Sequence, residues 1–240
     1  MALLQVDNVS KNFSGLRAVA DVSFAVPDGA IFAVIGPNGA GKTTLFNLIA
    51  GVFAPDAGTI AFAGSRIERL QPDEVCRRGV GRTFQIVRPF PALSVEDNVV
   101  VGALLRQPDP KAAMRRAHEI LGQLDLFEKR RHLAGALTLP DRKRLEVARA
   151  LATEPKLLLL DEVMAGLRPT ETDRMVEIIK RLNAESGLTI LLIEHVMRAV
   201  MSVATRVLVL HHGAAIAEGP PEAVVREPAV IESYLGVEAV

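Results

Sequence analysis

Residues 31–44 read IFAVIGPNGAGKTT, and the following LFNLIA is mostly apolar. An apolar run, a glycine-rich turn and a second apolar stretch in that order predict a strand, a loop and a helix, the last over 42–50. The turn fits the pattern G-x-x-x-x-G-K-[ST]. Gly36, Gly39 and Gly41 allow backbone angles that point successive N–H groups inward, where a side chain would obstruct a phosphate. Lys42 supplies a point charge for β and γ phosphates, the Thr43 hydroxyl suits Mg²⁺, and the helix N-terminus adds its dipole. The stretch predicts a cradle for a nucleoside triphosphate.

A second element begins at Lys156, where KLLLLDE joins four leucines to two acids. A wholly apolar run ending in a carboxylate predicts a buried central strand of a parallel sheet, with its polar tip at the carboxyl edge. Ligands bind at that edge in doubly wound folds. Asp161 is placed to hold hydrated Mg²⁺, directly or through water, and Glu162 to polarise an attacking water as general base.

Organisation follows from these placements. Residues 1–30 alternate in the way of strands building an antiparallel edge sheet, with VSKNF and AVADVSFAV giving the period. A turn-bounded AGTIAFAG and the strand-like GVGRTF come next, and 86–150 reads as a helical insert with helices over 110–124 and 141–152. From Lys156 onward strands alternate with helices, as parallel α/β architecture requires. LVLHHGAAIAEG reads as a hairpin near the end.

Composition agrees with a compact domain. At 240 residues, 49% hydrophobic and 23% charged, the chain can bury a large core without disulfides or a structural metal. The single Cys76 excludes an internal disulfide and fits a reducing compartment. No run of about 18 apolar residues exists, and Asp7 interrupts the N-terminus before a signal-peptide core forms. His211 and His212 have no neighbouring Cys or paired acids to suggest zinc. Met197 and Met201 share one helical face, which suggests packing. Net charge is zero, yet Arg66–Arg149 holds 17 basic and 11 acidic residues. These clusters read as solvated helical faces, with a modest attraction to anionic headgroups. With no Trp and one Tyr they lack stacking aromatics, which argues against a nucleic-acid partner.

The order of the motifs resembles the ATP-binding cassette (ABC) transporter ATPases over nearly the whole chain. The phrasing RTFQIVRPFPALSVEDNV, LLLLDEVMAGLRPTE and LLIEHVM is closer still to the LivG-type subunits of branched-chain amino-acid importers. The resemblance implies an α/β fold: a P-loop NTPase core with a mostly parallel sheet, an N-terminal antiparallel β subdomain and an inserted helical subdomain. The whole of 1–240 would then be one domain, with core residues 1–85 and 151–240 and helical residues 86–150. It implies that Gly36, Pro37, Asn38, Gly39, Ala40, Gly41, Lys42, Thr43 and Thr44 wrap ATP. Gln85 would touch Mg²⁺ and sense the membrane partner, His195 would contact the γ phosphate, and Phe13 would lie under adenine, where tyrosine is more usual. Residues 165–171 correspond to the D-loop.

One departure matters. The family signature LSGGQ becomes Leu137, Thr138, Leu139, Pro140 and Asp141. In the family this loop closes over ATP held by the opposite subunit. Thr138 keeps the hydroxyl, but Leu139 and Pro140 replace both glycines, and proline has no N–H to donate. The expectation is a heterodimer with a different ATPase subunit, in which the site completed by this loop hydrolyses slowly or mainly binds. Further implied partners are a polytopic membrane permease and, indirectly, a periplasmic or extracellular solute-binding protein, with the chain at the cytoplasmic face of the membrane. Of three function classes, a transporter motor, a soluble ABC ATPase and a regulatory subunit with vestigial hydrolysis, the resemblance implies the first: an ATP-hydrolysing subunit for uptake of branched-chain or related hydrophobic amino acids, with lipid or lipopolysaccharide export or a soluble ABC ATPase as the alternative.

Overall fold

The computed structural model describes residues 1–84 and 89–235. Gln85 therefore lies outside the described residues. Two long strands, β1 (Ala2–Phe13) and β2 (Leu16–Pro27), form an antiparallel hairpin and lead to β3 (Ile31–Ile35). The glycine loop and α1 (Lys42–Ile49) follow, then β4 (Ala57–Phe62) and β5 (Ser65–Arg66), which join the first hairpin in a four-stranded sheet of order β2-β1-β4-β5. Next come α2 (Pro72–Arg77), β6 (Val80–Arg82) and three helices, α3 (Val95–Ala103), α4 (Pro110–Gln123) and α5 (Leu139–Leu151). The chain re-enters the core as β7 (Leu157–Asp161), α6 (Pro169–Ser186), β8 (Thr189–Ile193), α7 (Met197–Val203) and β9 (Arg206–His211). It ends in β10 (Ala214–Gly219), α8 (Pro221–Val224) and α9 (Pro228–Leu235).

The second sheet has the order β10-β9-β3-β8-β7-β6; every neighbouring pair is parallel except β10 with β9. All five residues of β3, β7 and β8 are buried, which explains their unbroken apolar runs. Within those runs the faces still alternate. Ile31, Ala33, Ile35, Leu158, Leu160, Ile190 and Leu192 join one cluster with apolar residues of α3 to α7. Phe32, Val34, Leu157, Leu159, Leu191 and Ile193 point the other way, onto α1 and the antiparallel sheet. The parallel sheet is thus the middle of three layers, and its carboxyl edge is left to the loops.

Helix α5 starts two residues earlier than the sequence suggests, at Leu139 with Thr138 as N-cap. Pro140 sits in the first turn, where its missing N–H has no intrahelical partner to lose.

Candidate functional site

Four adjacent strands deliver the site. β3 runs into the glycine loop, β7 ends at Asp161, β8 is followed by Glu194 and His195, and β9 by His212. They converge on one cleft of about 440 Å³, lined by Asn38–Thr44, Glu162, His195 and His212, with Phe13, Leu16, Arg17 and Ala18 on another wall. Sequence reading placed most of these residues together. It did not foresee His212, Leu16, Arg17 or Ala18.

Two of the three loop glycines are required for a reason besides phosphate room. A Cβ on Gly36 would lie 2.0 Å from the Leu210 carbonyl oxygen, and one on Gly41 would lie 2.2 Å from that of Ala18. The protein's own backbone, packed against the loop, forbids side chains there. The same packing holds the β9–β10 turn to the loop, since the Gly213 N–H donates to Ala40 O at 3.1 Å. His212 reaches the cleft because of that tether. Tyr234 of α9 is in hydrogen-bond contact with the Gly36 backbone, so the C-terminal helix also touches the loop's first residue.

Lys42 is buried, and its Nζ donates to the Gly36 carbonyl at 2.7 Å and the Pro37 carbonyl at 2.8 Å. Burial lowers its pKa, while the negative charges of Glu162 and Asp161 oppose that shift. The ammonium is therefore held at the loop by two carbonyls, in the field of two nearby carboxylates.

Asp161 is 1% exposed. Arg82 of β6 donates to Oδ2 at 3.3 Å and also to Asn47 Oδ1 at 2.6 Å. Oδ1 of Asp161 is buried with no hydrogen-bond partner among the described residues. Burial pushes this carboxyl above its ordinary range, with the Arg82 charge pulling the other way. A buried acceptor with no donor is costly, and a divalent cation or its bound water would satisfy it. No cluster of three His, Cys, Asp or Glu capable of holding a metal occurs among the described residues. The donor set suits Mg²⁺ carried in with phosphate oxygens, water and the Thr43 hydroxyl, and not a metal caged by protein alone.

Glu162 adopts φ +52°, left-handed backbone that costs a residue with a Cβ about 1–3 kcal/mol. That turn swings its side chain into hydrogen-bond contact with His195: Oε1 and Nε2 are 2.6 Å apart. A carboxylate and an imidazole from two strands thus face the glycine loop as a pair.

Phe13 is 37% exposed on the cleft wall and packs edge-to-face on Phe53, with ring centres 5.2 Å apart. Phe53 fixes one edge of the ring. Thr138 is not part of this cleft. It sits exposed at the start of α5, where its hydroxyl donates to Asp141 Oδ2 at 2.8 Å. Asp141 also takes Lys129 and Arg144. Burial would raise the Asp141 carboxyl, but those donors outweigh it and hold the group below its ordinary range.

Two further residues stand out behind the cleft. Lys143 is 5% exposed and donates to the Glu162 backbone carbonyl at 2.7 Å; Glu194 is 1% exposed and accepts the Met164 N–H at 2.8 Å. Burial pushes Glu194 up to about 7 against the pull of the Met164 and His195 backbone and Lys143. Lys143 was legible only as one cation of the basic cluster DRKR, and Glu194 only as the residue before His195, with nothing to mark either as buried.

A glycine loop with its lysine, a buried aspartate on the next strand but one, and a glutamate–histidine pair define a P-loop nucleotide-binding protein. Comparison with known proteins narrows that class. Residues 19–165 match the ABC transporter family, and residues 216–240 match the branched-chain amino acid ATP-binding cassette transporter family. The high-affinity branched-chain amino acid transport ATP-binding protein LivG of Escherichia coli is 39% identical, with 98% of each chain covered. The lipopolysaccharide export system ATP-binding protein LptB of the same organism is 37% identical, again with 98% of each covered. A crystal structure of the ADP conformation of an ATP-binding cassette superposes with a TM-score of 0.89 at 32% identity, covering 98% of this chain and 99% of that one. The chain belongs to the ABC transporter family of ATP-binding subunits.

Proposed function

We propose that this chain is the ATP-hydrolysing subunit of an importer of branched-chain or related hydrophobic amino acids. The observation that carries hydrolysis is the 2.6 Å pair of Glu162 and His195 in the same cleft as Lys42. Glu162 takes a proton from the attacking water as its oxygen bonds to the γ phosphorus and the bond to the β-phosphate oxygen breaks. His195 holds the Glu162 side chain in place and stands beside the γ phosphate, and Lys42 offsets charge that builds on the transferring group. Mg²⁺, held through Thr43, Asp161 and Gln85, would supply further charge neutralisation. Phe13 offers adenine a ring face.

Amino-acid uptake rests on the likeness to LivG and on the second family match over 216–240. LptB favours lipopolysaccharide export as the second reading. The transported molecule would not touch this subunit, so the permease that copurifies with it decides between them. An apolar groove of about 260 Å³, lined in part by Val52, Val75, Phe84 and Val101, is the face we assign to that permease. No helix among the described residues is long and apolar enough to cross a membrane, so attachment at the cytoplasmic face would run through the permease, fed from outside by a solute-binding protein.

The second subunit is proposed to be a different ATPase. The helical part, 86–150, would present the Thr138 loop to the nucleotide of that partner. Pro140 has no N–H, and the one hydroxyl proton of Thr138 is already given to Asp141. Each charge-assisted donor lost there weakens phosphate grip by about 1.5–3 kcal/mol. Glu162→Gln tests the central reading: ATP turnover should fall by about 10²-fold or more while a fluorescent ATP analogue still binds. Unchanged turnover removes Glu162 from the chemistry.

A further inference from the structure

Lys143 lies in the second turn of α5, the helix that begins at Leu139 with Thr138 as its N-cap. A lysine in such a place would ordinarily reach for solvent, but this one is buried and spends an N–H on the main-chain carbonyl of Glu162 at 2.7 Å. That carbonyl also accepts the Ala165 N–H at 3.2 Å, and the Glu162 N–H donates to Ile193 O at 3.0 Å. The left-handed turn that aims the Glu162 side chain at His195 is therefore fastened on both sides of the residue. Of these fastenings, only the one from Lys143 comes from outside the β7 and β8 ends and their own loop.

The surroundings of the ammonium suit this task. Four carboxylates, Glu194, Glu162, Asp161 and Glu146, oppose the effect of burial on its charge. Glu194 in turn accepts the main-chain N–H of Met164, two residues past Glu162, and directly precedes His195. Lys143 and Glu194 thus bring together the helix after the signature loop, the turn bearing the general base and the segment bearing the histidine. Neither side chain lines the nucleotide cleft.

The geometry points to Lys143 as a positioning residue for the hydrolytic carboxylate, fastening the Glu162 turn to the helix that begins at the signature loop. The inference rests on the reading of Glu162 as general base. On the further reading that the Thr138 loop closes over a partner's nucleotide, any movement of α5 on closure is felt at the catalytic turn of this chain through one hydrogen bond.

The experiment compares wild-type chain with Lys143→Met and Lys143→Arg, measuring kcat, KM, affinity for a fluorescent ATP analogue with magnesium, and melting temperature. Lys143→Met keeps most of the volume and removes the donor and the charge; Lys143→Arg keeps both. The expected result is a fall in kcat of about tenfold or more in Lys143→Met, with KM and analogue affinity within about twofold of wild type, and partial recovery of kcat in Lys143→Arg. A wild-type kcat in Lys143→Met overturns the inference, as does a loss that arginine does not recover and that tracks affinity and melting temperature. Should Lys143→Met fail to fold, Lys143→Gln is judged by the same criteria. Wild-type chain that binds no analogue would sink the nucleotide reading itself; normal binding and turnover with an indifferent Lys143 sinks only the fastening.

Discussion

Glu194 offers a quantitative test of how the buried charges behind the cleft are balanced. Burial raises its carboxyl from 4.5 to about 7, and the Met164 and His195 N–H groups and Lys143 only partly restrain it. The folded state therefore binds a proton at this site more tightly than the unfolded chain does. The stabilisation from that proton is fully present below pH 4.5 and is lost as pH rises through about 7. For a shift of this size the whole effect is about 3 kcal/mol, and between about pH 5.5 and about pH 8 the loss is about 2 kcal/mol. Glu194→Gln keeps an oxygen for the Met164 N–H, is nearly isosteric, and has no proton to release. Urea unfolding of both proteins at the two pH values gives four stabilities. Asp161 and Glu146, also raised by burial, contribute to both proteins alike and cancel in the double difference. Wild type should lose about 2 kcal/mol more than Glu194→Gln on going from the lower to the higher pH. Equal losses would mean that Glu194 does not carry the raised pKa and that Lys143 balances it fully in the folded state.

Two other substitutions probe the loop and the signature. Gly36→Ala places a methyl 2.0 Å from the Leu210 carbonyl oxygen, so chemical denaturation should show a loss of about 2–4 kcal/mol together with weakened nucleotide binding; a wild-type midpoint would mean that the end of β9 gives way freely. Leu139→Gly combined with Pro140→Gly restores two flexible positions and one N–H to the start of α5, and ATP turnover of the assembled complex should rise several-fold; an unchanged rate counts against a weakened site at this loop.

The sequence was most legible where one physical demand acts on consecutive residues. Burial on both faces of a parallel sheet forces runs such as IFAVI and LLLLD, and a phosphate loop forces its glycines at fixed intervals, so both were readable with their chemistry. Partners brought together by topology were less so. Arg82 reaches Asp161 because β6 is paired in parallel beside β7, a neighbourhood that nothing in GVGRTF announces. His212 enters the cleft because the turn after β9 is tied to Ala40, and as one of two adjacent histidines it reads as turn polarity. Even a correct motif carried an incomplete reason: the glycines at 36 and 41 are fixed by the carbonyls of Leu210 and Ala18 and not only by a bound phosphate. The loop's shape is therefore part of the folded core, tied to β2 and β9 whether or not a nucleotide is bound. Fixing the cradle in advance leaves less ordering cost to be met on binding.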